Sequence, residues 1–310
     1  MPLSAWAVTT GEAGMRTQAR GLAAAVADQV TELTAPDAMA WPWRLPVLAP
    51  PFTAPFPDIM ITCGRRAAPY AVSVKRASGG RTLIVHVQDP RAWRGEFDLI
   101  VAMKHDRIAA VGAVIKVATA LHDLTPENLA QAARAWEGRF SSLPRPVTGV
   151  TIGGDLKGRR FSTADGDRLM SGLQQARSEG GLAITPSRRT PMAIRQVLAQ
   201  AFGADPGVVL GDDEGDNPYR AILALSDRLM TTSDSVSMVS EAISTPLGVD
   251  ILDLGFGRHA EFIQELVDIG RIRRLDGAPA PVGSHQPVNA TRTAAAKVRA
   301  LLQARTGVPG

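Results

Sequence analysis

The sequence has 310 residues, 45% of them hydrophobic and 21% charged, which fits one large or two ordinary globular domains and excludes a disordered or fibrous chain. A single cysteine, Cys63, excludes an internal disulfide, and the five histidines lack paired ligand spacing, so neither a metal nor a cofactor is expected. The net charge of +4 is spread along the chain without a basic block, which argues against a nucleic-acid partner.

The pattern alternates short β-rich runs with longer helical runs, the mark of an α/β protein with parallel sheets. A strand is predicted over residues 6–10 and a helix over 16–29. Residues 36–57 hold seven of the 22 prolines and read as a long surface loop. Strands follow at 58–62, 82–87 and 98–102, with a helix at 67–77 between the first two and another at 126–140. The segment 141–146, with two prolines, reads as an interdomain linker.

A second series then places strands at 147–152, 182–185, 208–210, 228–232 and 249–252. Its helices fall at 163–179, 191–201, 218–225 and 236–244, and an amphipathic helix closes the chain. The expectation is two Rossmann-like domains facing a cleft, at 1–145 and 147–285, with the helix at 290–305 packing back on the first.

The N-terminus has no signal-peptide pattern, and the most apolar stretch, 109–121, is interrupted by Lys116 and too short to span a bilayer. A cytoplasmic protein is expected, with peripheral contact at the inner membrane left open. The proline-rich loop bears on that contact, because it carries Trp41, Trp43, Phe52 and Phe56 beside Arg44. Those rings suit a membrane headgroup region, or they anchor the loop to its own domain.

Chemistry concentrates in the second half. After the strand ending at Thr232, Ser233, Asp234, Ser235 and Ser237 lead into a helix, and a helix N-terminus with short hydroxyl side chains suits phosphate. Glu241 shares a helical face with Ser237, where a carboxylate can accept hydrogen bonds from ribose hydroxyls. The same residues also read as a plain cap at Asp234 or Ser235 above a solvated glutamate. Gly153 and Gly154, after the first strand of this half, permit close approach of a phosphate or form an ordinary turn. Arg188 and Arg189 sit between a strand and a helix that Thr190 can cap and Pro191 can open, which suits an anionic ligand.

In the first half, the turn Gly11-Glu12-Ala13-Gly14 is not a dinucleotide fingerprint. Tyr70 and Tyr219 have Val74 and Leu223 where a nicotinamide-dependent epimerase needs lysine, which disfavours that class. His105, after the strand at 98–102, is a candidate general base, and Glu12 is its rival. His86 lies within a strand and reads as packed, and Cys63 reads as a buried structural thiol.

The strand–SDSVSM–SEA–strand arrangement of Ser233–Glu241 resembles the donor half of GT-B glycosyltransferases. That resemblance implies that Ser233, Ser235, Ser237 and Glu241 face a nucleotide diphosphate sugar, with Glu241 on the ribose. Thr245 stands where that family usually has glycine. The segments Cys63–Arg66, Gln88–Arg91, Phe97–Ile100, His105–Asp106, Thr185–Pro191 and Gly215–Tyr219, in this order, resemble the mitochondrial-fission "elongated mitochondria" family, which includes many bacterial proteins.

Two readings stand. In one, the protein is a metal-independent glycosyltransferase that moves a sugar from a nucleotide donor to a lipid-linked or envelope acceptor, with His105 or Glu12 as base. In the other, the GT-B scaffold is a non-catalytic, membrane-associated factor.

Overall fold

A computed structural model describes residues 2–36, 45–104, 106–156, 158–211, 217–254, 257–275 and 282–306. The chain forms two compact units, Met1–Asp123 with Asn289–Gly310, and Leu124–Val288.

The first unit is built on strands β1 (Ser4–Thr9), β2 (Gln29–Thr34), β3 (Ile59–Cys63), β4 (Leu83–Val87), β5 (Leu99–Met103) and β6 (Val114–Val117). They form one parallel sheet in the order β2-β1-β3-β4-β5-β6. Strands β3 and β4 are buried on both faces and therefore read as unbroken apolar runs rather than as alternation. Successive residues still serve opposite faces. Ile59, Ile61, Leu83 and Val85 pack under α1 (Ala13–Val26) and the last helix, while Met60 and Ile84 pack under α2 (Ala68–Ala77) and the proline-rich loop.

Two strands of this unit, and the short strand at 273–274 of the other, are absent from the sequence-based pattern. The helix predicted to reach Gln29 stops at Val26, and Gln29–Thr34 forms edge strand β2, whose QVTELT pattern is largely solvent-facing and gives only Val30 and Leu33 to the core. Edge strand β6 has only four residues. The loop rings Phe52 and Phe56 anchor the loop: Phe52 lies 4.8 Å from Tyr70 and edge-on to Trp6 at 6.1 Å, and Phe56 meets Trp6 at 6.3 Å. Trp41, Trp43 and Arg44 lie outside the described residues.

The second unit opens with α3 (Pro126–Phe140), where Thr125 and Asn128 form a reciprocal capping box. The predicted boundary at 141–146 thus differs from the observed one: α3 packs on α6 (Tyr219–Leu225) of the second unit. The sheet comprises β7 (Val147–Ile152), β8 (Gly181–Pro186), β9 (Val208–Leu210), β10 (Arg228–Thr232), β11 (Gly248–Leu252) and β12 (Arg273–Arg274), all parallel.

Its order is β12-β11-β10-β7-β8-β9, the doubly wound arrangement in which the chain reverses direction across the sheet between β7 and β10. Helices α4 (Thr163–Glu179) and α5 (Met192–Phe202) bring Leu169, Leu173, Leu198 and Phe202 onto Val150, Ile184 and Met230. Helices α7 (Val236–Ile243) and α8 (Gly257–Asp268) complete this unit, α8 being an addition to the predicted set. The last helix, α9 (Ala290–Thr306), packs its Ala290, Ala294, Ala295 and Val298 face in the first unit, beside α1.

Candidate functional site

In doubly wound sheets the loops at the carboxyl ends of the strands flanking the switch point diverge and leave a crevice. In the second unit those strands are β7 and β10, so the crevice is bordered by Gly153 and Gly154 on one side and Ser233–Ser237 on the other. The next strand, β8, adds the loop that carries Arg188 and Arg189. Residues distant in sequence therefore meet along one edge.

The centre of this edge is Asp234, 1% exposed. Its Oδ1 accepts a hydrogen bond from Thr232 Oγ1 at 2.6 Å. Its Oδ2 accepts from the Gly154 amide at 3.0 Å and from Arg189 Nη2 at 2.8 Å. Arg189 also donates to the carbonyls of Asp155 at 3.1 Å and Gly154 at 3.4 Å. Thr190 leaves the cap of α5 vacant and turns its hydroxyl to the carbonyls of Ile152 and Gly153. Arg188 is exposed and has no partner among the described residues.

Each predicted residue around α7 has a defined place. Ser233 is buried: its hydroxyl donates to Asp253 Oδ1 at 3.1 Å and accepts from the Leu254 amide at 2.9 Å, tying the β10 and β11 loops together. Ser235 caps α7, accepting from the Met238 amide at 3.3 Å. With the Val239 amide on the Ser235 carbonyl, the amides of Val236 and Ser237 are left without acceptors among the described residues. Ser237 is half-buried on the first turn, and Glu241, one turn on, is buried. Serine content signals a cap, but nothing in the sequence separates the capping hydroxyl from the one that staples two loops.

The first unit has its own switch point between β1 and β3. Glu12 sits there, at the start of α1. The Thr10 hydroxyl at 2.6 Å, the local backbone amide and the charge of Arg66 hold its carboxyl below the ordinary range. His105 lies outside the described residues. Its neighbours are fixed: Asp106 accepts from the Met103 amide at 2.8 Å, and Lys116 Nζ donates to the carbonyls of Met103 and Asp106. Cys63 is fully buried, and burial pushes its thiol well above the ordinary range. Among the described residues no cluster of histidine, cysteine or carboxylate side chains could hold a metal ion, and no helix is long and apolar enough to cross a membrane.

Two Rossmann-like domains, each a doubly wound parallel sheet with its crevice at the switch point, define a GT-B-like protein. Among solved structures, UDP-GlcNAc 2-epimerase from Neisseria meningitidis bound to UDP-GlcNAc shares this fold with a TM-score of 0.56 at 12% identity, over 97% of this chain and 100% of that one. MurG from Acinetobacter baumannii does so with a TM-score of 0.52 at 14% identity, over 96% of this chain and 100% of that one. The chain belongs to the mitochondrial fission ELM1 family, whose model matches residues 13–302. It is 30% identical over 276 residues to the mitochondrial fission protein ELM1 of Arabidopsis thaliana, covering 80% of this chain and 65% of that protein, so it spans just under two thirds of that relative's length. An uncharacterized protein of Rickettsia prowazekii (strain Madrid E), RP120, is 26% identical over 290 residues, covering 80% of each.

Proposed function

We propose that the second unit binds a nucleoside-diphosphate sugar at the switch point between β7 and β10, and that the protein transfers the glycosyl group to an acceptor hydroxyl. The observation that carries this reading is the start of α7, where two unclaimed amides, of Val236 and Ser237, stand at the carboxyl edge of a doubly wound sheet. A helix N-terminus there favours a diphosphate by its dipole and by direct N–H donation. Arg188 supplies an exposed positive charge, Gly153 and Gly154 form the facing wall, and Glu241 meets the ribose. Arg189 shapes that wall through its bonds to Gly154 and Asp155, and Ser233 and Ser235 hold the opposite side through theirs. Such fixed donors stabilise a leaving diphosphate without a metal ion. The likeness of fold to an epimerase solved with UDP-GlcNAc makes UDP the first nucleotide to try.

Calorimetry with UDP, GDP, ADP and CMP tests the reading. One nucleotide should bind to the wild type, and Glu241→Ala should weaken it by about tenfold to a hundredfold, the worth of a hydrogen bond to a charged group. Binding by none of the four overturns it.

Membership of a fission-factor family favours a second reading, in which the same crevice binds a nucleotide without transferring sugar. Hydrolysis of the bound sugar nucleotide, or its transfer, abolished in Glu241→Ala supports the enzyme. Binding with no turnover on any acceptor, lipid-linked ones included, supports the factor. Glu12→Gln and His105→Ala, assayed for turnover alone, test whether the first unit supplies the base.

A further inference from the structure

We infer that Asp234 is the positioning residue of the nucleotide crevice: its buried carboxylate holds three carboxyl-edge loops in one arrangement and divides the labour between two adjacent arginines. The inference rests on the donor-site reading above and assigns each part of that site a cause.

A carboxylate removed from water must be matched by donors and by a counter-charge. Asp234 has both. Thr232 and Gly154 supply hydrogen bonds from the β10 and β7 loops, and Arg189 supplies hydrogen bond and charge from the β8 loop. The Thr232 hydroxyl is a directed relay, since it accepts the Gly153 amide at 2.8 Å and so spends its proton on Asp234. Arg189 extends the clamp to the carbonyls of Gly154 and Asp155. Removing Arg189 to serve a phosphate would strand a buried negative charge, so Arg189 stays with Asp234. Arg188, exposed and without a partner among the described residues, is the one that turns to the ligand.

Gly153 follows from that carboxylate, and Gly154 from the backbone of the β8 loop that Arg189 ties to it. A Cβ on Gly153 would stand 2.0 and 2.1 Å from the two Asp234 oxygens, and a Cβ on Gly154 would stand 2.0 Å from the Arg189 carbonyl oxygen. The β7 loop thus closes on Asp234 at Gly153 and on the β8 loop at Gly154, and at both positions only glycine fits. Asp234 immediately precedes the cap residue of α7, so the same clamp aims the amides of Val236 and Ser237.

The experiment combines thermal midpoints with UDP calorimetry, run at a temperature where every variant is folded by circular dichroism. Arg188→Ala should weaken UDP at least tenfold with its midpoint unchanged. Arg189→Lys should also weaken UDP at least tenfold while folded, because one ammonium cannot span the acceptors a guanidinium reaches. So should Asp234→Asn, because a neutral amide loses the ion pair and puts a donor where an acceptor is needed. Gly153→Ala should lower the midpoint in the wild type, yet add no further loss in an Asp234→Ala background, where the oxygens it strikes are gone. Additive losses at 153 and 234, or wild-type UDP affinity in folded Asp234→Asn, overturn the inference while leaving the donor-site reading intact. A wild type that binds none of the four nucleotides removes that reading and the positioning role with it.

Discussion

Thr62 Oγ1 and His86 Nδ1 lie 2.7 Å apart in the core of the first sheet, one on β3 and the other opposite it on β4. The Thr62 hydroxyl also lies 3.3 Å from the Val85 carbonyl, and His86 Nε2 is buried with no hydrogen-bond partner among the described residues. Phe97 covers the ring at 5.2 Å. Burial lowers the pKa of His86 from 6.5 to about 3, and that of His122 to about 4. Both are neutral in the native protein at pH 7.

The sign of the pH dependence follows. Below pH 6.5 the unfolded chain takes up protons that these native histidines refuse, so stability falls as pH falls, by about 1.4 kcal/mol per unit for each. His86→Leu should remove about 2 kcal/mol of the loss between pH 6.5 and 5. Urea unfolding of both proteins at the two values checks this, and equal pH dependence would refute it.

Gly21 and Gly138 both sit inside helices, and sequence propensity treats them alike. Alanine at an exposed helical site gains about 1 kcal/mol over glycine, and Gly138→Ala, with nothing within 4 Å, should show that gain. At Gly21 the added Cβ would stand 2.2 Å from the His122 carbonyl oxygen and 2.5 Å from its carbon. Backbone cannot swing aside as a side-chain tip does, so overpacking wins and Gly21→Ala should cost about 2 kcal/mol. Opposite shifts in thermal midpoint are the expected result.

Asp165 closes the first turn of α4. Burial works to raise its pKa, but hydrogen bonds from Ser162 and the guanidinium groups of Arg168 and Arg159 outweigh it and bring the carboxyl down to about 2. Its stabilising contribution is therefore complete above pH 3.8 and lost as pH falls toward 2. Asp165→Asn should cost about 3 kcal/mol at pH 7, the scale of breaking a buried pair. The variant and the wild type should converge in stability on acidification.

Thr291, at the start of α9, both donates to the His122 carbonyl at 2.9 Å and accepts its amide at 2.8 Å. Thr291→Val removes both of these buried hydrogen bonds and should cost about 2 kcal/mol. Denaturant titration of the variant reads it directly.

Most of the second unit is legible from sequence because its strands are apolar runs with glycine or proline at their ends. Predicted and observed bounds coincide for β7, β9, β10 and α4. Strand β2 is hard to read because most of QVTELT faces solvent, and β6 because four residues inside the longer apolar stretch 109–121 show neither a strand nor a helix period. Helix α8 does carry its signal, in Phe262, Ile263 and Leu266, which are buried at helical spacing. The place of α3 is decided by its contact with α6, a tertiary preference that linker composition does not encode. In the crevice the residue types point to phosphate chemistry, but an aspartate among serines reads as a cap. Only the closure of three loops makes Asp234 their common anchor.

The return of α9 to the first unit orders events during synthesis. Residues 124–288 are contiguous, so the second unit can fold as soon as they leave the ribosome. The first unit must wait for the final helix, because Ala290, Ala294, Ala295 and Val298 belong to its core. Throughout that interval an apolar face of the nascent chain stays open to chaperones. The half that is made first is the last to be finished.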